Sequence, residues 1–173
     1  MILMMDYSLK SGENVLRASK EIANAAGADG MIGGQVVDIL SEEKETLSEE
    51  ELKYMHLKKT GELIRSSIVA GAILGEAKES DIEKLDIFGQ KLGLAFQIKD
   101  DLLDVLGSVD KLGKNTNKDE DKNKSNFVTM YGIDRCEDLC KQLTEECISI
   151  LNDLTVDAKY LKELTYNLLD REY

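Results

Sequence analysis

A chain of 173 residues with no proline, 5% aromatic and 42% hydrophobic residues is long enough for one domain with a real core and has the composition of an all-helical protein. Its net charge of -12 disfavours a nucleic-acid binder, which turns a basic face toward phosphates. An anionic ligand suits such a chain only if metal ions stand between protein carboxylates and ligand phosphates.

The first residues, Met1 to Met5, are apolar on all sides with no capping residue before them and read as the last turns of a longer helix. Glu13 to Gly27 carries Val15, Leu16, Ile22, Ala23 and Ala26 at helical spacing, with Gly27 placed to end the helix. Another helix is predicted from about Asp29. Within it, GMIGGQVVDIL combines Gly33 and Gly34, whose missing side chains let a neighbouring helix or a ligand approach, with Gln35 and Asp38 one turn apart.

The charged stretch SEEKETLSEEE reads as a solvated loop leading to a helix start, where Ser48 and Glu51 have capping-box spacing; Ser80 and Glu83 repeat that spacing further on. Between these two starts, residues 52–75 begin amphipathic, pass through Lys58, Lys59, Thr60 and Gly61, and end in small and aliphatic residues. A Lys-Thr-Gly at such a junction can aim an ammonium and a hydroxyl at a ligand beside an apolar pocket, although the tripeptide alone also fits a surface lysine. The apolar run at residues 68–75 is far too short to span a bilayer.

GLAFQIKDDLLDVLG, residues 93–107, is the stretch around which the rest is organised. At about 100° per residue, Gln90, Gly93, Gln97, Asp100, Asp101 and Asp104 share one narrow stripe and apolar residues cover nearly everything else, so the helix is predicted to be buried. Carboxylates held there repel one another and lose hydration, which costs several kcal/mol per ion unless positive charge lies opposite. Oxygen donors of this kind suit a hard divalent cation such as Mg2+, which takes one or two carboxylates together with substrate phosphates. A solvent-facing acid cluster is the alternative for the bare string, and the apolar flanks argue against it.

Residues 108–126 hold almost no apolar side chains and are predicted as a long polar loop in which Lys114 and Lys124 flank Asp119. Two amphipathic helices follow, roughly Asp134 to Asn152 and Asp157 to Arg171, each with Asp at its N-cap. Cys136, Cys140 and Cys147 fall on one face of the first; with His56 the single histidine, they read as core-packing residues rather than a zinc site. An odd cysteine count and an opening without signal-peptide character set the expectation of a reducing, cytoplasmic setting. No repeat and no dividing linker appears, so residues 1–173 are expected to form one helical domain.

Taken in order, GGQVVDI, KKTGELI, GLAFQIKDDLLDV, LGK and NKSNFVTMYG resemble the trans-prenyl diphosphate synthases, the polyprenyl synthases that include farnesyl and geranylgeranyl diphosphate synthases. The resemblance runs from about Glu13 to the C-terminus. It implies an all-α antiparallel helical bundle of the isoprenoid synthase type, built around a deep cavity in which two Asp-rich motifs face each other across bound magnesium. On that resemblance Asp100, Asp101 and Asp104 match the second Asp-rich motif and are the expected Mg2+ ligands. Lys59, Lys114 and Lys124 match diphosphate-binding lysines. Thr60 and Gln97 match positions whose oxygens lie near the developing allylic cation and, with Lys59, form the expected catalytic set; Gln35 and Asp38 lie on the cavity-lining helix.

The chain departs from the family pattern in two places. Nothing in residues 1–30 resembles the first Asp-rich motif or the basic residues that hold isopentenyl diphosphate, so the fold is expected to lack an N-terminal part. In the phosphate loop Asn117 replaces the usual glycine, and Asn126-Phe127 replaces a Thr-Tyr pair. The resemblance implies a prenyltransferase that condenses an allylic diphosphate with isopentenyl diphosphate by a Mg-assisted carbocation mechanism, working as a homo-oligomer, with this chain inactive alone. A non-catalytic partner subunit of a heteromeric synthase is the alternative, against which the retained acids and lysines count. An unrelated helical scaffold would not carry five ordered motifs.

Overall fold

The computed structural model describes residues 2–42, 44, 46–112, 125–169 and 171, without the side chains of residues 2 and 108–112. Among them all regular structure is helical. Helix α1 (Ile2–Ser11) turns into α2 (Glu13–Ala26) at Gly12, whose φ of 90° is one that glycine adopts without strain. Gly27 ends α2 as the sequence predicts, and α3 (Met31–Ser41) begins two residues later than expected.

Helices α4 (Glu49–His56) and α5 (Glu62–Leu74) are joined by a π-helical turn, Leu57–Gly61, and the backbone stays right-handed through both junctions. The capping box at the start of α4 is formed: Glu51 N donates to Ser48 Oγ at 3.2 Å and Ser48 N to Glu51 Oε2 at 2.9 Å.

Helix α6 (Glu79–Leu112) is the 34-residue centre of the fold, followed by α7 (Phe127–Tyr131), α8 (Ile133–Asn152) and α9 (Lys159–Leu169). Four local expectations fail here. Helix α6 starts before Ser80, so no second capping box forms. Instead the neighbouring Asp81, fully buried, accepts from Thr155 N at 3.2 Å and Thr155 Oγ1 at 2.5 Å and ties the start of α6 to the α8–α9 connection. Asp134 lies inside the first turn of α8, where its charge still suits the helix dipole, and Gly132 holds the cap position. Helix α6 also runs through Leu112, five residues into the predicted polar loop, while α9 ends before Arg171.

Helices α5 and α8 run antiparallel to α6. Against the π-turn and α5, Gly93 meets Gly61 and Gly89 meets Arg65. Against α8, the thiol of Cys147 lies 4.0 Å from the Phe88 carbonyl and that of Cys140 lies 3.8 Å from the Ala95 carbonyl. All three cysteines are free and buried, as their shared face predicts. Sandwiched in this way, Phe88, Leu92, Ala95 and Ile98 are fully buried, each large side chain contributing about 1.5–3 kcal/mol. Arg65 latches α2, α5 and α6 through Glu21, Glu62 and Asp86. By contrast, α1 leaves Leu3 and Leu9 more than four-fifths exposed, and Ile32, Val36, Ile39 and Leu40 stand exposed on α3. No described helix is long and apolar enough to cross a membrane.

Candidate active site

The π-helical turn is where the sequence motifs meet. A Cβ on Gly34 would lie 2.2 Å from Lys59 N, and one on Gly93 would lie 2.7 Å from Gly61 Cα. Both are closer than real side chains tolerate, so only glycine lets α3 and α6 press on the turn from two directions. Turns with this extra residue recur at functional sites because they re-aim the side chains they carry. Here Lys58 pairs with Glu62 of α5, one turn on, at 2.9 Å, whereas Lys59 reaches across to α3 and donates to Asp38 Oδ2 at 2.6 Å. Asp38 is buried and Lys59 and Thr60 are half-buried; Gln35 faces outward on α3.

One turn beyond Gly93, Gln97 is half-buried and its Nε2 lies 3.4 Å from Asp101 Oδ1. The three aspartates, expected to share metal contacts, are divided by the fold. Asp101 is only 6% exposed. Its Oδ2 accepts from Phe127 N at 2.8 Å and lies 3.9 Å from His56 Nε2. Burial pushes its carboxyl up to about 6, against the pull of the Phe127 amide and Gln97. Asp100 is half-buried and ion-paired with Arg171, whose guanidinium lies 4.3 Å above the centroid of the Phe96 ring. Its carboxyl is also raised by burial, with Arg171 opposing. Asp104 is exposed. Residues adjacent in a helix face apart, so Asp101 points inward while Asp100 and Asp104, one turn apart, remain toward solvent.

Among the described residues no three acidic, histidine or cysteine side chains are gathered closely enough to hold a metal by themselves. Asp100 and Asp104 nevertheless fit Mg2+: two hard oxygen donors on one accessible helix face match an ion that completes its shell with water and ligand phosphates. Lys114 and Lys124 lie outside the described residues. The family departure at Asn126-Phe127 has a structural account. Asn126 caps α7 in a box with Thr129, at 2.7 and 3.0 Å, and the buried Phe127 ring stacks on His56 at 5.1 Å between centroids.

Four contributors escaped the sequence reading: His56, Phe96, the Phe127 amide and Arg171. Arg171 is 71 positions from Asp100, so no local pattern links the two.

A sequence model of the Polyprenyl synthetase family matches residues 1–165. Farnesyl diphosphate synthase of Micrococcus luteus is 38% identical over 150 residues, covering 87% of this chain and 51% of that protein. Farnesyl diphosphate synthase of Bacillus subtilis is 36% identical over 160 residues, covering 92% and 52%. The chain thus spans about half the length of the curated relatives it matches. Among solved structures, a geranyltransferase from Helicobacter pylori complexed with magnesium and isoprenyl diphosphate superposes with a TM-score of 0.75 at 31% identity, covering 97% of this chain and 55% of that one.

Proposed function

The chain belongs to the polyprenyl synthetase family, and from that premise we propose that it is the part of a farnesyl- or geranylgeranyl-type prenyltransferase that holds magnesium and the allylic diphosphate. The observation that supports this reading is the meeting of α3, the π-turn and α6 through Gly34 and Gly93, which brings Lys59 onto Asp38 and sets Thr60 and the start of the Gly93–Asp104 stretch of α6 beside the same turn.

In this reading Asp100 and Asp104 hold Mg2+, and Asp101 fixes their helix against α7 by accepting the buried hydrogen bond of the Phe127 amide. Bound there, Mg2+ would supply charge neutralisation for the diphosphate as it leaves the allylic carbon. Lys59, aimed by Asp38, donates to a diphosphate oxygen, and Lys114 and Lys124 add positive charge to the same group. Leaving-group charge grows toward the transition state, so these preorganised donors act most strongly there. The oxygens of Thr60 and Gln97 face the electron-poor carbon and shield it from water. The proton lost after the new carbon–carbon bond forms passes to the departed pyrophosphate, which leaves no task for a protein base. His56, packed against Phe127, is in keeping with that.

The chain as it stands binds diphosphate with magnesium but does not turn over, because residues 1–30 offer no counterpart to the first Asp-rich motif. The exposed apolar residues of α1 and α3 support association with further copies or with the rest of a synthase. Calorimetry with magnesium and inorganic pyrophosphate tests the reading, together with incubation of the chain with geranyl diphosphate and labelled isopentenyl diphosphate. Magnesium-dependent pyrophosphate binding without product is expected. Absence of that binding would leave the partner-subunit role, in which the acids are idle.

A further inference from the structure

Arg171 lies two residues beyond the end of α9, yet it is held at the Asp-rich face of α6. Its Nη2 pairs with Asp100, and its guanidinium plane covers Phe96, one turn before Asp100. Among the described residues its buried Nε has no hydrogen-bond partner. A guanidinium is weakly hydrated and stacks on aromatic faces, so the placement is specific to arginine and is not one a lysine would reproduce. The Arg171 and Asp100 side chains keep 25% and 36% exposure. Water and ions therefore reach the pair, and a contact with one unsatisfied donor and solvent access is readily exchanged.

Resting on the reading of Asp100 and Asp104 as the metal-facing carboxylates, we propose that Arg171 is a resident counter-ion for Asp100, displaced when a divalent cation and a diphosphate bind together. Before binding, the guanidinium neutralises Asp100, which otherwise stands beside Asp101 and one turn from Asp104 in a chain of net charge -12. A lone Mg2+ must break that pair in exchange for one or two carboxylates, and this ion gives up its water reluctantly. A diphosphate adds further oxygens to the metal shell and tips the exchange. Arg171 thereby couples uptake of metal to uptake of the phosphorylated substrate.

The test uses the full 173-residue chain and the variants Arg171→Met, Arg171→Lys, Phe96→Leu and Asp100→Asn. Binding of magnesium with inorganic pyrophosphate is read by calorimetry, and binding of manganese alone by electron paramagnetic resonance. Arg171→Met should bind manganese alone about tenfold tighter than the unmodified chain, the combined effect of losing a part-exposed ion pair and a cation–π contact. Arg171→Lys and Phe96→Leu, which weaken only the stacking, should fall between, and Asp100→Asn should lose binding. Weaker magnesium-pyrophosphate binding in Arg171→Met would make Arg171 a diphosphate ligand and overturn the proposal, as would unchanged manganese affinity. If Arg171→Met folds poorly by circular dichroism, Phe96→Leu decides by the same readouts. Equal magnesium-pyrophosphate binding by the unmodified chain and Asp100→Asn would instead sink the metal-site reading, and this proposal with it.

Discussion

Gly34→Ala separates a close backbone contact from ordinary helix propensity. The added methyl would lie 2.2 Å from Lys59 N, 2.7 Å from Lys59 Cα and 2.8 Å from the Lys58 carbonyl carbon. Those are all backbone atoms, so no side chain can swing aside, and α3 must retreat from the π-turn by roughly an ångström. Overpacking of this kind costs about 1–3 kcal/mol, and the upper end applies because backbone must move. Against it stands a helix-propensity gain of about 1 kcal/mol for replacing glycine by alanine. The expected net loss is about 2 kcal/mol, which for a chain of this size lowers Tm by about 4–8 °C.

Gly71 in α5 is the internal control. A Cβ there meets nothing within 4 Å, so Gly71→Ala should gain up to about 1 kcal/mol from propensity alone. Urea and thermal unfolding of the two variants, followed by circular dichroism, give the comparison. The retreat of α3 also lengthens the Lys59–Asp38 contact, so Gly34→Ala should weaken magnesium-pyrophosphate binding while Gly71→Ala leaves it unchanged. If both variants prove equally stable, α3 does not rest on the π-turn and the account of the GGQ motif is wrong.

Asp101→Ala should cost about 1–3 kcal/mol because the buried Phe127 N–H loses its acceptor, whereas Asp101→Asn, which keeps an oxygen in place, should recover most of that in urea titrations. Burial pushes the Cys140 thiol up to about 11 and that of Cys147 up to about 12, and also raises Cys136. A thiol reagent at pH 8 should therefore label all three cysteines in denaturant and almost none in the folded chain; fast labelling of native protein would contradict the packing. Lys44, with the Ser48 cap, holds the Glu51 carboxyl down at about 2. A depressed carboxylate stabilises above its unfolded value of about 4.3 and loses that contribution as pH falls through about 2. The Ser48 amide resonance should accordingly keep its capped shift to below pH 3, and an earlier change would show that the box is not formed.

Local chemistry makes much of this fold legible in the linear chain. The stop at Gly27, the box at Ser48 and Glu51, the buried cysteine face of α8 and the apolar flanks of the Asp-rich helix all follow from interactions within a few residues, where periodicity and capping act. The ordered motifs likewise point to the family before any coordinates. Where local signals failed, a distant partner had intervened. Asp81 is held by Thr155 from another part of the chain, so the start of α6 is not set by Ser80. The glycines of GGQ and GLAF can be seen in the sequence, but that they clamp a π-turn between them depends on how α3 and α6 pack. The Asp-rich string is the sharpest case. Three like residues in one motif do three different things because Phe127 takes Asp101, Arg171 takes Asp100 and solvent keeps Asp104. Such partners are fixed only when helices far apart in sequence are buried against one another, since a carboxylate's environment is a property of the packed neighbourhood rather than of the residues beside it.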